Sequence, residues 1–221
     1  MNSIDLKKIL LYGGILGPIA YLLNDIIGGF LTPNYSYIVN TVSDLTKTGT
    51  HDTYLLGSIL LLVSAIMGTA FGIGIISHYT YKHSKLIFLG GLFLTIIGIF
   101  NIFTGTIFPQ DTIGGEVTFP GTMHLVLVGI VAILLFPTLL MIGTGLYREK
   151  QWKSFRLYTF ISVLIMFIFG GLSAIVIMNG IELMGLFERI SVYTFQIWSV
   201  VLAYILIRET KSPSDDLHMT R

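Results

Sequence analysis

The 221-residue sequence contains no cysteine, which removes disulfides, thiolate nucleophiles and cysteine-ligated metals from consideration. Charge is scarce as well. Asp, Glu, Lys and Arg make up 11% of the chain against 53% hydrophobic residues, and the mean hydropathy is +0.82. So few polar groups could not solvate the surface of a water-soluble globule. A formal net charge of +1 leaves no basic surface for a nucleic acid, and no nucleic-acid partner is expected. No phosphate loop, dinucleotide fingerprint or zinc-protease motif is present, and no cofactor is expected. What the sequence does hold is a series of apolar runs of about 20 residues, the length that crosses a bilayer as helix.

These runs use up nearly the whole chain, so residues 1–221 read as a single all-α membrane domain. Six spans are expected at roughly 9–30, 54–77, 86–108, 123–147, 157–178 and 188–207, followed by a short polar tail over 209–221. Two lysines before the first run resemble a signal peptide. Gly13, Gly14, Gly17 and Pro18 interrupt that run, however, and no small-x-small cleavage pattern follows, which favours a retained first span. An even number of spans puts both termini on one side. Eleven Lys and Arg residues fall on that side, and only Lys47 and Arg189 lie opposite. The positive-inside rule then makes both termini cytoplasmic, and a plasma-membrane location is expected.

Polar residues within or beside the spans carry the functional information, since lipid tolerates them only when they are paired, neutral or facing a wet cavity. Tyr21, Asn24, Asp25 and Gly28 recur at helical spacing on the first span. In the connection that follows, Tyr35, Ile38, Val42 and Leu45 suggest a short helix lying on the outer surface. Its other face carries Asn40, Ser43, Asp44 and Lys47, either over the bundle mouth or in solvent. Gly68, Gly72 and Gly74 on the second span, and Gly170, Gly171 and Ser173 on the fifth, suggest close helix packing. Asn101 and Thr104 share a face of the third span. Pro109 argues that the helix stops before Asp111. Turn chemistry at Gly114-Gly115 and Pro120-Gly121 should then bring His124, at the head of the fourth span, close to Asp111. Arg189, Tyr193 and Gln196 form one stripe on the sixth span. That stripe should face inward, with Arg189 paired to Asp25 or Asp111.

Collected by side, Asp25, Ser43, Asp44, Asp111, Glu116, His124, Glu188 and Arg189 come from at least four segments and all fall on the extracytoplasmic side. The candidate ligand-binding set is Asp25, Asp111, His124, Glu188 and Arg189. The candidate catalytic set is Asp111, His124, Ser43 and Asp44. No metal set is expected. His51 and His124 are the only histidines on that side, and His51 lies in a polar loop, which disfavours zinc and a bis-His haem.

The segments VNTVSDLTKTG, GTIFPQDTIGGEVTFPGTMH and GLFERISVY, in that order among six spans, resemble the bacterial membrane-protein family called domain of unknown function 998. That family is distantly similar to the Frag/DRAM/Sfk group. The resemblance implies a six-helix bundle with both termini inside, and marks Ser43, Asp44, Pro109, Asp111, His124 and Arg189 as family-motif positions. Four functions stay open at this point. One is a regulatory or scaffold protein binding a lipid headgroup or small polar ligand, with Arg189 as anion partner. The second is an intramembrane hydrolase of a lipid-like substrate. The third is a small transporter. The fourth is a charge network that only holds helix ends together. Membrane lipids are the expected partners, and the oligomeric state is open.

Overall fold

The computed structural model describes residues 3–46, 51–111, 115–146 and 152–209. In lipid each peptide N–H and C=O must find its partner within the protein, so an apolar run of this length folds as helix. The runs are α1 (Ser3–Leu11), α2 (Gly13–Leu31), α3 (His51–His78), α4 (Lys85–Thr106), α5 (Phe119–Leu146), α6 (Lys153–Met178) and α7 (Met184–Glu209). Tyr12 keeps helical angles, φ −61° and ψ −19°, so α1 and α2 form one nearly continuous span, Leu6–Leu31. Among the described residues six stretches are long and apolar enough to cross a membrane. The chain is an all-helical, multi-pass membrane protein.

The helices pack in chain order. α2 contacts α3, α3 contacts α4, and so on to α7, which returns to α2 and closes the ring. The connections after α2, α4 and α6 gather at one end, called distal here, and the described termini lie at the other. In the terminal half the ring is filled by Phe71, Ile75, Leu139, Ile142, Trp198 and Leu202. Because lipid tails are as apolar as these side chains, such a core holds by close packing more than by escape from water. Small residues allow that closeness at Gly72, where an added Cβ would lie 2.6 Å from the Thr95 amide nitrogen. Gly68, one turn earlier, does not pack in this way. A Cβ there would meet nothing within 4 Å, since the distal half of the ring is hollow.

Two sequence expectations about elements change. The third span ends at Thr106, two residues earlier than expected, as Pro109 requires. The loop after α2 is no surface helix. Residues 32–42 form turns, followed by a single 3-10 turn, Ser43–Thr46. Pro33 restrains the residue before it, Asn34 adopts a left-handed φ of 59°, and the carbonyls of Tyr37 and Asn40 are taken by Arg189. A helix would need all three otherwise. Likewise Gly171 has open space around it, and Gly170 only touches Ser191 Oγ at 3.5 Å, so the fifth-span glycines are not a close-packed seam. Lys47, the residues 147–151 and the tail beyond Glu209 lie outside the described residues, as does the side chain of His51, which begins α3.

Candidate functional site

At the distal end one buried cation organises three segments. Arg189, in the first turns of α7 and 7% exposed, donates from Nε and Nη2 to the two oxygens of Asp25 on α2, at 2.9 and 2.7 Å. Its Nη1 donates to the carbonyls of Tyr37 and Asn40, both at 2.7 Å, and of Gly185 at 3.0 Å. Nη2 also donates to the Tyr35 hydroxyl. The tyrosine rings of residues 35 and 37 lie against the guanidinium, 5.6 and 5.1 Å from its carbon. Tyr193, one turn further along α7, donates its hydroxyl to Asp25. Every N–H of Arg189 is therefore engaged, and the partner chosen is Asp25, not Asp111. Burial among these groups raises the Tyr35 hydroxyl pKa above its ordinary value.

The loop so captured lies across the start of α7. Gly185 and Leu186 donate their amides to the carbonyls of Val39 and Ile38, which satisfies two of the orphan donors at a helix N-terminus. A Cβ at Gly185 would sit 2.2 Å from the Asn40 carbonyl oxygen, so only glycine admits this approach. Glu188 completes the fastening by accepting from the Val42 amide through Oε2 at 2.9 Å. Asp44, expected either over the mouth or in solvent, is buried at 3% exposure. Its Oδ2 accepts from the Thr41 amide at 2.9 Å, while Thr41 Oγ1 accepts from the Asp44 amide at 3.1 Å. This is a reciprocal capping arrangement of the T-x-x-D kind, a signal legible in TVSD that the search for catalytic residues passed over.

Asp111 and His124 do not bind each other. Asp111 accepts from the Thr118 amide at 2.9 Å and the Thr118 hydroxyl at 2.7 Å. Thr118 in turn accepts from the Gly121 amide at 3.1 Å and is the N-cap of α5. The backbone and side-chain hydrogen bonds from Thr118 lower the Asp111 pKa, and His124 adds a smaller contribution in the same direction. The carboxylate rests on Gly121, where a Cβ would be 1.9 Å from Oδ2. His124, two turns into the bundle region and 5% exposed, places Nδ1 2.8 Å from the Phe108 carbonyl oxygen. That carbonyl, just past the end of α4, can only accept, so Nδ1 donates to it and Nε2 lies on the other side of the ring. Glu116 is exposed.

Below the fastened loop lies a cavity of about 300 Å³ lined by residues of α2, α3, α4, α5, α6 and α7. Its distal end is polar, with Ser43, Thr46, Asn101, His124 and Glu188 on the wall; its deep end reaches Phe71, Leu94, Leu135 and Phe195. From His124 to Leu135 along α5 is eleven residues, a depth of roughly 16 Å at 1.5 Å per residue. The inward stripe of α7 behaves as its spacing implies. Arg189 locks the rim, and Gln196 faces the cavity one helical stretch below. Of the sequence candidates, Ser43, His124 and Glu188 share this cavity. Asp25, Asp44, Asp111 and Arg189 are absent from its lining and are held by protein groups around it. Among the described residues no group of three or more His, Asp or Glu side chains converges as a metal ion requires.

The family model described as Protein of unknown function (DUF998) matches residues 15–205. The chain belongs to that family. The match runs from α2 to the last turns of α7 and takes in the fastened loop, the Asp111 cap and the cavity wall of this DUF998 chain. No curated protein and no solved structure matches the sequence.

Proposed function

We propose that the protein binds an amphiphile of the membrane in its central cavity, in a regulatory or scaffold role, with the polar end of the ligand under the loop of residues 35–46. The observation that carries this is the polarity gradient of one cavity. Hydroxyl, imidazole and carboxylate groups crowd the distal end, and toward Phe71 and Leu135 the wall turns mostly apolar, interrupted by Ser64, Gln196 and Ser199. A purely structural charge network would not need a hollow beneath it, because empty apolar volume forfeits packing contacts. At about 300 Å³ the space falls at the small end of the range typical of ligand sites, roughly 300–1,000 Å³. In this reading Asp25 and Arg189 do not touch the ligand but hold the roof in place, and Asp111 fixes the start of the helix that carries His124. The eleven-to-two distribution of Lys and Arg supports a distal end outside the plasma membrane, with both termini cytoplasmic.

Gly68 provides the test. It lines the cavity and has no neighbour within 4 Å of an added Cβ, so Gly68→Phe fills the hollow without disturbing a helix contact. Native mass spectrometry of the wild-type protein should show a bound amphiphile, and the variant should be empty yet at least as thermally stable. An empty wild-type protein, or one whose adduct survives Gly68→Phe, would end the cavity reading.

One observation favours a second reading. Ser43 and His124 line the same hollow, which is the pairing a hydrolase of an ester-bearing amphiphile needs, serine attacking and imidazole taking its proton. Release of the acid and alcohol portions of a cavity-bound ester, lost on Ser43→Ala without loss of binding, would establish it.

A further inference from the structure

The cavity wall carries an acidic side chain, Glu188, and no lysine or arginine to balance it. Several hydroxyls on its wall spend their single proton on backbone carbonyls: Thr46 on Ser43, Thr104 on Asn101, Ser191 on Met166 and Ser199 on Gly14. Toward the hollow these present lone pairs only. His124 spends its Nδ1 proton on the Phe108 carbonyl. Glu188 gives Oε2 to Val42, and its Oε1 has no protein donor among the described residues. No lysine or arginine lines the space, and Arg189 beside it has all its N–H groups engaged. Tyr21, Ser43, Ser64, Asn101 and Gln196 add neutral donors to the wall, but a phosphate or carboxylate headgroup would still enter a site with an acidic side chain and no cation to meet it, in a medium where such a charge is costly to bury unpaired.

We propose that the occupant is an amphiphile whose headgroup donates hydrogen bonds and bears no negative charge, an alcohol, polyol or amine, received by Glu188 Oε1. This rests on the cavity reading above and adds the chemistry of the headgroup. From His124 to Leu135 along α5 the cavity runs roughly 16 Å. That depth is about half of the ~30 Å hydrocarbon core, so the tail stays within one leaflet.

Four probes with one tail separate headgroup from cavity: dodecylglycerol, dodecylamine, dodecanoate and dodecyl phosphate, each added to the purified protein in lipid nanodiscs, with binding read as the shift in unfolding temperature against concentration. Dodecylglycerol or dodecylamine should bind about tenfold or more tighter than either anion, the gap expected from one hydrogen bond to a charged acceptor. The two donor classes are told apart by Glu188→Gln, which should weaken the amine about tenfold and the glycerol ether far less. Gly68→Phe should bind none of them. Equal or tighter binding of the anions would overturn the headgroup assignment while leaving the cavity reading intact. Binding of none of the four, or binding that Gly68→Phe does not abolish, would overturn both.

Discussion

Replacing Arg189 with alanine removes the cation paired with Asp25, which is 2% exposed and, among the described residues, would keep just the Tyr193 hydroxyl. It also strands the carbonyls of Tyr37, Asn40 and Gly185. Breaking one side of a buried ion pair costs about 3–5 kcal/mol, because the remaining charge has neither water nor a partner. For a chain of this size 1 kcal/mol moves the unfolding temperature by roughly 2–4 °C, so Arg189→Ala should lower it by about 6–20 °C. Arg189→Lys should recover little, since an ammonium cannot bridge both Asp25 oxygens while reaching the loop carbonyls. The decisive comparison is Arg189→Ala with Asp25→Asn in the same chain. Neutralising the stranded carboxylate should restore part of the loss, and the two changes together should cost less than their sum. Thermal unfolding of the detergent-purified proteins, followed by size-exclusion recovery of the folded peak, measures all three. An Arg189→Ala protein that melts within a degree or two of the wild type would refute the claim that this pair fastens the roof.

Other expectations follow from single contacts. The Asp111 pKa is depressed by Thr118, so its stabilising contribution is complete above the ordinary carboxylate value of about 4 and fades as pH falls through the lower folded value. Asp111→Asn should therefore melt below the wild type at pH 6, and the two curves should converge as the pH is lowered toward 3; parallel curves would contradict the capping role. Asn24 is fully buried with neither amide atom hydrogen-bonded. An unmet polar group of this kind costs about 1–3 kcal/mol, so Asn24→Leu should raise the unfolding temperature, whereas a drop would reveal a bridging water or ion in that place. A cysteine introduced at Ser154 should resist a membrane-impermeant maleimide in intact cells, and one at Glu116 should react; the reverse pattern would move the cavity mouth to the cytoplasmic side.

The fold was legible because its cause is one-dimensional. A run of apolar residues long enough to cross the bilayer has one conformation open to it, and Pro109 marked the end of α4 to within two residues, whereas α7 begins at Met184, four residues before the Glu188-Arg189 pair. The loop over residues 32–46 was misread for the opposite reason. Tyr35, Ile38, Val42 and Leu45 do recur at helical spacing, and Val42 and Leu45 are indeed buried, at 2% and 0% exposure. What decides their conformation is a guanidinium about 150 residues further along the chain that takes the carbonyls a helix would use internally. Local periodicity carries no trace of such a distant competitor. Gly68 shows the same limit in reverse: its spacing from Gly72 is that of a packing seam, yet one glycine meets α4 and the other faces empty space.

The candidate site divides along a line that chemistry draws and spacing does not. All of its charged members read alike in the sequence, as ionisable groups at the ends of spans, and the difference between them is whether their bonding capacity is spent. Asp25 is met by Arg189 and Tyr193, Asp44 closes on Thr41, and Asp111 closes on Thr118. For Asp44 and Asp111 the partner includes a backbone donor that a turn or helix end would otherwise leave unmet, and for Asp25 it is a buried cation that needs a counter-charge, so folding alone accounts for each residue. Glu188 and His124 are different. Each uses one atom to fasten a backbone group at the distal end and lines the hollow with the rest of its side chain. A group that braces the scaffold with one atom and lines an empty, graded cavity with the rest has its orientation fixed before any ligand arrives. Such preorganisation reduces the entropy lost on binding.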